Sequence, residues 1–192
     1  GSALTSLAFL SIVEVMDGFS RDWGFSGGDM IANLSGIGLF AAQQKAWGQQ
    51  RIGLKFSASF SPYAQYNHKQ LGTKWAERLM KDYNGQTYWL SVNLRSFMKT
   101  ESTFPVWLNA AAGIGADGMI GARQNPVEIN GKTIPSFKRS RQFYLAADAD
   151  LHRIRSTQAL NAPLFSLQYF KMPAPAIEYN TNRKLTIKPI QF

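Results

Sequence analysis

Four polar side chains interrupt otherwise apolar sequence near the start of this chain: Glu14, Asp17, Asp29 and Asn33. Glu14 and Asp17 are three apart and share a helix face. Asp29, Asn33, Gly36 and Phe40 fall at i, i+4, i+7 and i+11, which is one stripe of a helix. Carboxylates gathered in apolar surroundings have perturbed pKa values. Such a group could hold a cation or a lipid headgroup, or move a proton. The preferred reading is structural. Asp29 caps a helix and meets its dipole, Asn33 bonds a facing backbone, and Glu14 pairs with an arginine. Buried polar groups need partners whether or not they do chemistry.

A second set is Arg95, Asp117, Asp148 and Asp150, which strand alternation puts on polar faces. An ordinary network of solvated or lumen-lining charges explains it, and no nucleophile accompanies it. The two histidines, His68 and His152, lie in separate segments without metal-ligand spacing. There is no cysteine, hence no thiol nucleophile and no disulfide framework. Ala112-Gly-Ile-Gly-Ala-Asp-Gly118 is glycine-rich but precedes no helix pattern, so it suits a curved strand rather than a phosphate loop. No metal or cofactor is implied.

Stepping along the chain, Ala3–Met16 reads as an apolar helix ended by Gly18. An aromatic corner of Phe19, Trp23 and Phe25 follows. Ser26-Gly-Gly-Asp29 then has capping spacing for a second helix running to about Trp47. Ala32 and Gly36 let another helix approach closely. The expected arrangement is an antiparallel apolar hairpin over residues 1–47, with Glu14, Asp17, Asp29 and Asn33 converging at its corner. Both apolar runs are shorter than the roughly 20 residues a spanning helix needs.

These residues carry a resemblance. Glu14-x-x-Asp17, the aromatic corner, Asp29-x-x-x-Asn33-x-x-Gly36 and Asp82-Tyr-Asn-Gly-Gln-Thr-Tyr-Trp-Leu-Ser91 resemble an uncharacterised family of predicted periplasmic lipoproteins, domain of unknown function 2279. More distantly, the acid on one helix and the Asp-x-x-x-Asn-x-x-Gly on the next resemble VanZ-like membrane proteins. Both families have an earlier helix with an Asp-Lys pair and a His. The resemblance therefore implies that this chain begins inside a helix and that a site at the corner is completed elsewhere.

Residues 48–192 read as an antiparallel β region with two short helices, His68–Tyr83 and Ala159–Met172. Six strands are expected: Leu54–Ser61, Gln86–Phe97, Trp107–Ile120, Arg141–Leu151, Ala176–Tyr179 and Lys184–Phe192. The first four alternate apolar and polar residues, and the last two flank the turn Asn180-Thr-Asn182. Asn130-Gly131 marks a small hairpin between the third and fourth. Two settings remain open. One is a soluble sheet with its apolar face under helices. The other is an outer-membrane barrel, apolar side to lipid, for which the terminal Phe192 also argues. The fold class adopted is α+β, an apolar helical hairpin with a partly open, barrel-like sheet. Asp at Leu90, Val92, Leu145 or Ala147 should then do more damage than Asp at Ser91 or Ala146.

The chain of 192 residues is long enough for a real core. Its net charge of +9 is scattered, with groups at 138–141, 153–155 and 183–188 and no nucleic-acid motif. A membrane lipid or lipopolysaccharide surface fits that charge equally well; a basic nucleic-acid binder is a distant third reading, and the sequence leaves protein partners open. The expected function is a non-catalytic, structural or binding protein of the outer membrane or periplasm. The alternative is an envelope enzyme acting on lipid or cell-wall headgroups through the corner carboxylates.

Overall fold

The computed structural model describes residues 27–154 and 167–191. The chain divides into two compact units, residues 1–52 and 53–192.

In the first unit, helix α1 spans Gly27–Trp47. Its apolar run is diluted by Asn33, Ser35, Gly36 and Gly38 and ends in Gln43-Gln-Lys45. Ser35 Oγ turns back to donate to Ile31 O at 2.7 Å. Gly48, at φ +67°, ends the helix, with its N–H donating to Gln44 O at 3.0 Å. The buried Gln43 amide then fixes the exit. Its Oε1 accepts from the N–H groups of Arg51 and Ile52 at 2.9 and 2.7 Å, and its Nε2 donates to Ile52 O at 2.9 Å. The expected long apolar hairpin is corrected here. The described helix carries too many polar and glycine positions to be long and apolar, and among the described residues no helix could cross a membrane. The other expected limb, Ala3–Met16, lies outside the described residues.

The second unit is an α+β fold on a six-stranded sheet. The strands are β1 (Ile52–Ala58), β2 (Gln86–Asn93), β3 (Leu108–Asp117), β6 (Ser140–Ala149), β7 (Ala174–Asn180) and β8 (Leu185–Gln191), neighbours in that order. The β2–β3, β3–β6, β6–β7 and β7–β8 pairs are antiparallel. A separate hairpin joins β4 (Glu128–Ile129) to β5 (Lys132–Thr133) through Asn130 and Gly131, both at positive φ. Helices α2 (His68–Leu71) and α3 (Trp75–Lys81) replace the single helix expected over 68–83. Gly72 separates them at φ +87°, where a Cβ would lie 2.8 Å from the Arg78 backbone nitrogen. The helix expected over 159–172 falls mostly outside the described residues.

Two corrections concern the sheet. It is not closed into a barrel: β1 and β8 are its edges. Six strands are too few for closure, since single-chain membrane barrels start at about eight. Pro189 in β8 also removes a donor that a further partner would need. The expectation of a barrel-like, outer-membrane architecture is dropped.

The second correction concerns which side is inside. The polar residues face inward and the apolar residues outward. Ser91 is buried, whereas Leu145 is 64% exposed. The ranking of Asp substitutions given above therefore reverses, with Ser91 the vulnerable position. The sheet curls round its polar face. Lys55 of β1 touches Asp148 of β6, although in a flat sheet three strand spacings, about 14 Å, would separate their strands. Phe56 also bridges to the stretch just before β7, its N–H donating to Tyr169 O and its carbonyl accepting from Lys171 N, both at 2.9 Å.

Candidate functional site

The inner face is built in rows that the strand register dictates. One row is Trp89, Gly113, Tyr144, Glu178 and Thr186; the next is Ser91, Ala111, Ala146, Ala176 and Lys188; the third is Asn93, Asn109 and Asp148. Trp89, Ala111, Tyr144 and Ala176 form the small apolar core. Gly113 makes room for the indole, since a Cβ there would sit 2.6 Å from the Trp89 ring. Trp89 Nε1 donates to Ser57 Oγ at 2.8 Å, so its polar edge is satisfied inside the sheet.

Beside this core lies a connected polar network. Asp148, 3% exposed, receives Lys55 Nζ at 2.6 Å and Ser91 Oγ at 2.7 Å on Oδ2, and Met172 N–H at 3.3 Å on Oδ1. Lys55 Nζ also donates to Ala149 O at 2.7 Å. Asn109 Nδ2 donates to Ser91 Oγ at 2.9 Å, and Asn93 Nδ2 donates to Asn109 Oδ1 at 2.7 Å. Asn93 Oδ1 accepts from Ser96 N–H and Oγ, capping the 3-10 turn Leu94–Phe97 that ends β2. Lys171 closes the group. Its Nζ lies 5.0 Å over the Trp89 ring and donates to Met172 O at 2.6 Å. Burial is the main influence on Lys171 and pushes its pKa down; Asp148 opposes this and Lys55 adds to it.

Chemically, this arrangement clamps. The Ser91 hydroxyl donates to Asp148 and accepts from Asn109, and at 1% exposure it is closed off from any substrate. Asp148 ties β1, β2, β6 and the segment before β7 around one carboxylate, which holds the curl. Among the described residues, no three His, Cys, Asp or Glu side chains are grouped to hold a metal ion.

A second inner pair lies across β6, β7 and β8. Glu178 accepts from Gln142 Nε2 at 3.1 Å and lies 3.4 Å from Lys188 Nζ. That ion pair lacks hydrogen-bond geometry, which leaves Glu178 Oε2 buried without a donor. Burial, then the charges of Glu178 and Asp117, raises the Tyr144 hydroxyl well above its ordinary value.

At the other end of the sheet Asp82, fully buried, accepts from Ser61 N–H and Oγ and from Asn84 Nδ2. Asn84 in turn bonds both backbone groups of Met119, at 2.7 Å each. Gly85 packs so closely on Ser59 that a Cβ would meet its carbonyl oxygen. The sequence Asp82-Tyr-Asn-Gly85 is thus a structural corner.

The residues singled out from sequence are placed as follows. Glu14 and Asp17 lie outside the described residues. Asp29 falls in the first turn of α1, its side chain outside what is described, and Asn33 is half-buried one turn on. Arg95 donates to the carbonyls of Lys99 and Thr100 at 3.0 and 2.5 Å. Asp150 pairs with Arg153 at 3.0 Å. Asp117 pairs in register with Ser140, eight residues along β3 from the Asn109–Asp148 pair, roughly 27 Å of strand away. Of that set only Asp148 enters the inner network. Lys55, Ser91, Asn93, Asn109 and Lys171 were not singled out. The first four share the polar parity of their strands, and for Ser91, Asn93 and Asn109 their small uncharged character was the available signal. Lys171 carries none, since no alternation surrounds it.

No family model, curated protein or solved structure matches the chain. The resemblances at the corner and at Asp82–Ser91 therefore bring no residue role to these positions.

Proposed function

We propose that this chain is a cell-envelope protein that acts by binding, with its sheet as a preformed platform. One observation carries the reading: the sheet is inverted. Its inner polar groups are largely consumed by one another, while its outer face presents apolar side chains. A sheet in water ordinarily buries its apolar face. An inverted sheet suits a protein whose apolar face meets something other than water. The inner network supports a binding rather than a catalytic role, because Asp148, Ser91 and Asn109 each have their bonding partners within the fold.

The test is fractionation of cells making the full-length protein. The expected result is recovery with membranes, release by detergent, and partial release by high salt. Recovery in the aqueous cytosolic fraction without detergent would overturn the reading.

A further inference from the structure

We infer that the outer sheet face docks on an anionic phospholipid surface, with the long strands crossing from the headgroup level into the acyl boundary. This rests on the binding reading above and names its partner.

The outer face is ordered along the strands. One row runs Tyr88, Ile114, Phe143, Tyr179 and Leu185 in register across five strands. The next runs Leu90, Ala112, Leu145, Ile177 and Ile187. At about 4.8 Å per strand each row is roughly 19 Å long. All these side chains are exposed, Ile187 at 74%. Contiguous exposed apolar surface of this kind marks an interaction site.

Charge selects the occupant. Beyond the aromatic row, at the same strand ends, lie exposed Arg141, which pairs in register with Ala116, and Arg183 and Lys184 in the β7–β8 turn. The order is therefore basic, aromatic, aliphatic. Basic residues meet lipid phosphate, tyrosines favour the headgroup level and aliphatic chains the acyl region. The net charge of +9 adds a long-range attraction to an anionic surface. A second copy laid face to face and antiparallel would place each basic end over the partner's aliphatic end, and one laid parallel would oppose like charges. Neither matches the order as a lipid interface does.

The experiment uses the purified full chain and co-sedimentation with vesicles of phosphatidylcholine alone or mixed with phosphatidylglycerol. Binding to the mixed vesicles is expected, at least about tenfold stronger than to phosphatidylcholine and weakened by salt. The double substitution Leu145→Thr/Ile177→Thr removes apolar surface on β-compatible residues and should weaken binding about tenfold or more. Arg141→Gln/Lys184→Gln leaves the apolar rows intact, and should abolish the preference for phosphatidylglycerol while the circular-dichroism spectrum stays unchanged. Equal binding by wild type and both variants overturns the inference, as does no binding to either vesicle. Binding to lipopolysaccharide dispersions alone overturns it in favour of that surface. A dimer in solution that Leu145→Thr/Ile177→Thr converts to monomer overturns it in favour of a second copy. If vesicle binding fails but cell fractionation still places the protein with membranes, the docking face falls and the envelope reading stands.

Discussion

Truncating Asp148 to Ala should be among the most damaging single changes in the sheet. The carboxylate is buried, and its loss strands three groups at once: the Lys55 ammonium, the Ser91 hydroxyl and the Met172 N–H. Lys55 keeps only Ala149 O, with its side chain 6% exposed. Removing one partner of a buried ion pair costs about 3–5 kcal/mol, because the remaining charge is uncompensated. Each unsatisfied neutral group adds about 1–3 kcal/mol where it cannot relax. The costs overlap, so we expect about 4 kcal/mol, a large part of the roughly 5–15 kcal/mol that holds a domain. The double change Lys55→Met/Asp148→Leu removes both charges and should cost less than Asp148→Ala alone, since replacing a buried pair by apolar groups is often neutral. The assay is urea unfolding followed by tryptophan fluorescence, with Trp89 reporting the inner face, and stabilities compared at unchanged m-value. A cost for Asp148→Ala below about 1 kcal/mol, or strictly additive effects of Lys55→Met and Asp148→Leu, would refute the clamp.

Gly113→Ala should cost about 1–3 kcal/mol by overpacking against the Trp89 ring, and a shift of the tryptophan emission would show the indole displaced. Gly72→Ala places a side chain at φ +87° against the Arg78 backbone and should lower the unfolding temperature, while Gly131→Ala, at positive φ but in open space, should cost less. Tyr144 is raised by burial and by Glu178, and Tyr63 is pushed up to about 12 by burial and by Asp117, from an ordinary value of 10.0. Above pH 10 the unfolded tyrosines ionise while the folded ones hold their protons, so stability should be unaffected below pH 10 and fall between pH 10 and 12. Thermal melts across that range should show Tyr144→Phe with a smaller decline than wild type; an equal decline would count against a folded-state shift at Tyr144.

Strand positions were legible because Tyr88, Leu90 and Val92, or Phe143, Leu145 and Ala147, repeat with a period that only a strand satisfies. The Asn130-Gly131 hairpin was legible for a local reason, two residues that accept positive φ. The break at Gly72 was harder to read. Its helix periodicity runs through Leu71, Trp75 and Leu79, and the close approach of the Gly72 backbone to Arg78 is a packing fact. Closure of the sheet was legible only through strand number, six being few for a membrane barrel; whether β1 meets β8 also depends on accumulated curl and not on any one strand's pattern. For the corner group, Glu14 and Asp17 lie outside the described residues, as does the side chain of Asp29, so the structure neither gathers nor separates these groups.

Which face lies inside is the subtlest case. A period of two separates a strand's residues into two sets but is unchanged when the sets exchange places. Composition breaks the symmetry. A face meant for water tends to carry lysine and glutamate, whose long charged side chains solvate cheaply. Here the polar parity holds Ser57, Thr87, Ser91, Asn93, Asn109 and Gly113, all short; Ser91, Asn93 and Asn109 bond one another across adjacent strands, and Ser57 accepts from Trp89. The charges among them pair within the sheet, Asp148 with Lys55 of β1 and Glu178 with Lys188 of β8. Such residues can close on themselves around a tight curl, where a row of leucines could not fit beside Trp89 and Tyr144. The bulky apolar set is thereby forced to the convex side. The inversion is thus a consequence of size as much as polarity: small polar rows can be enclosed by this curl, and large apolar rows must be left outside it.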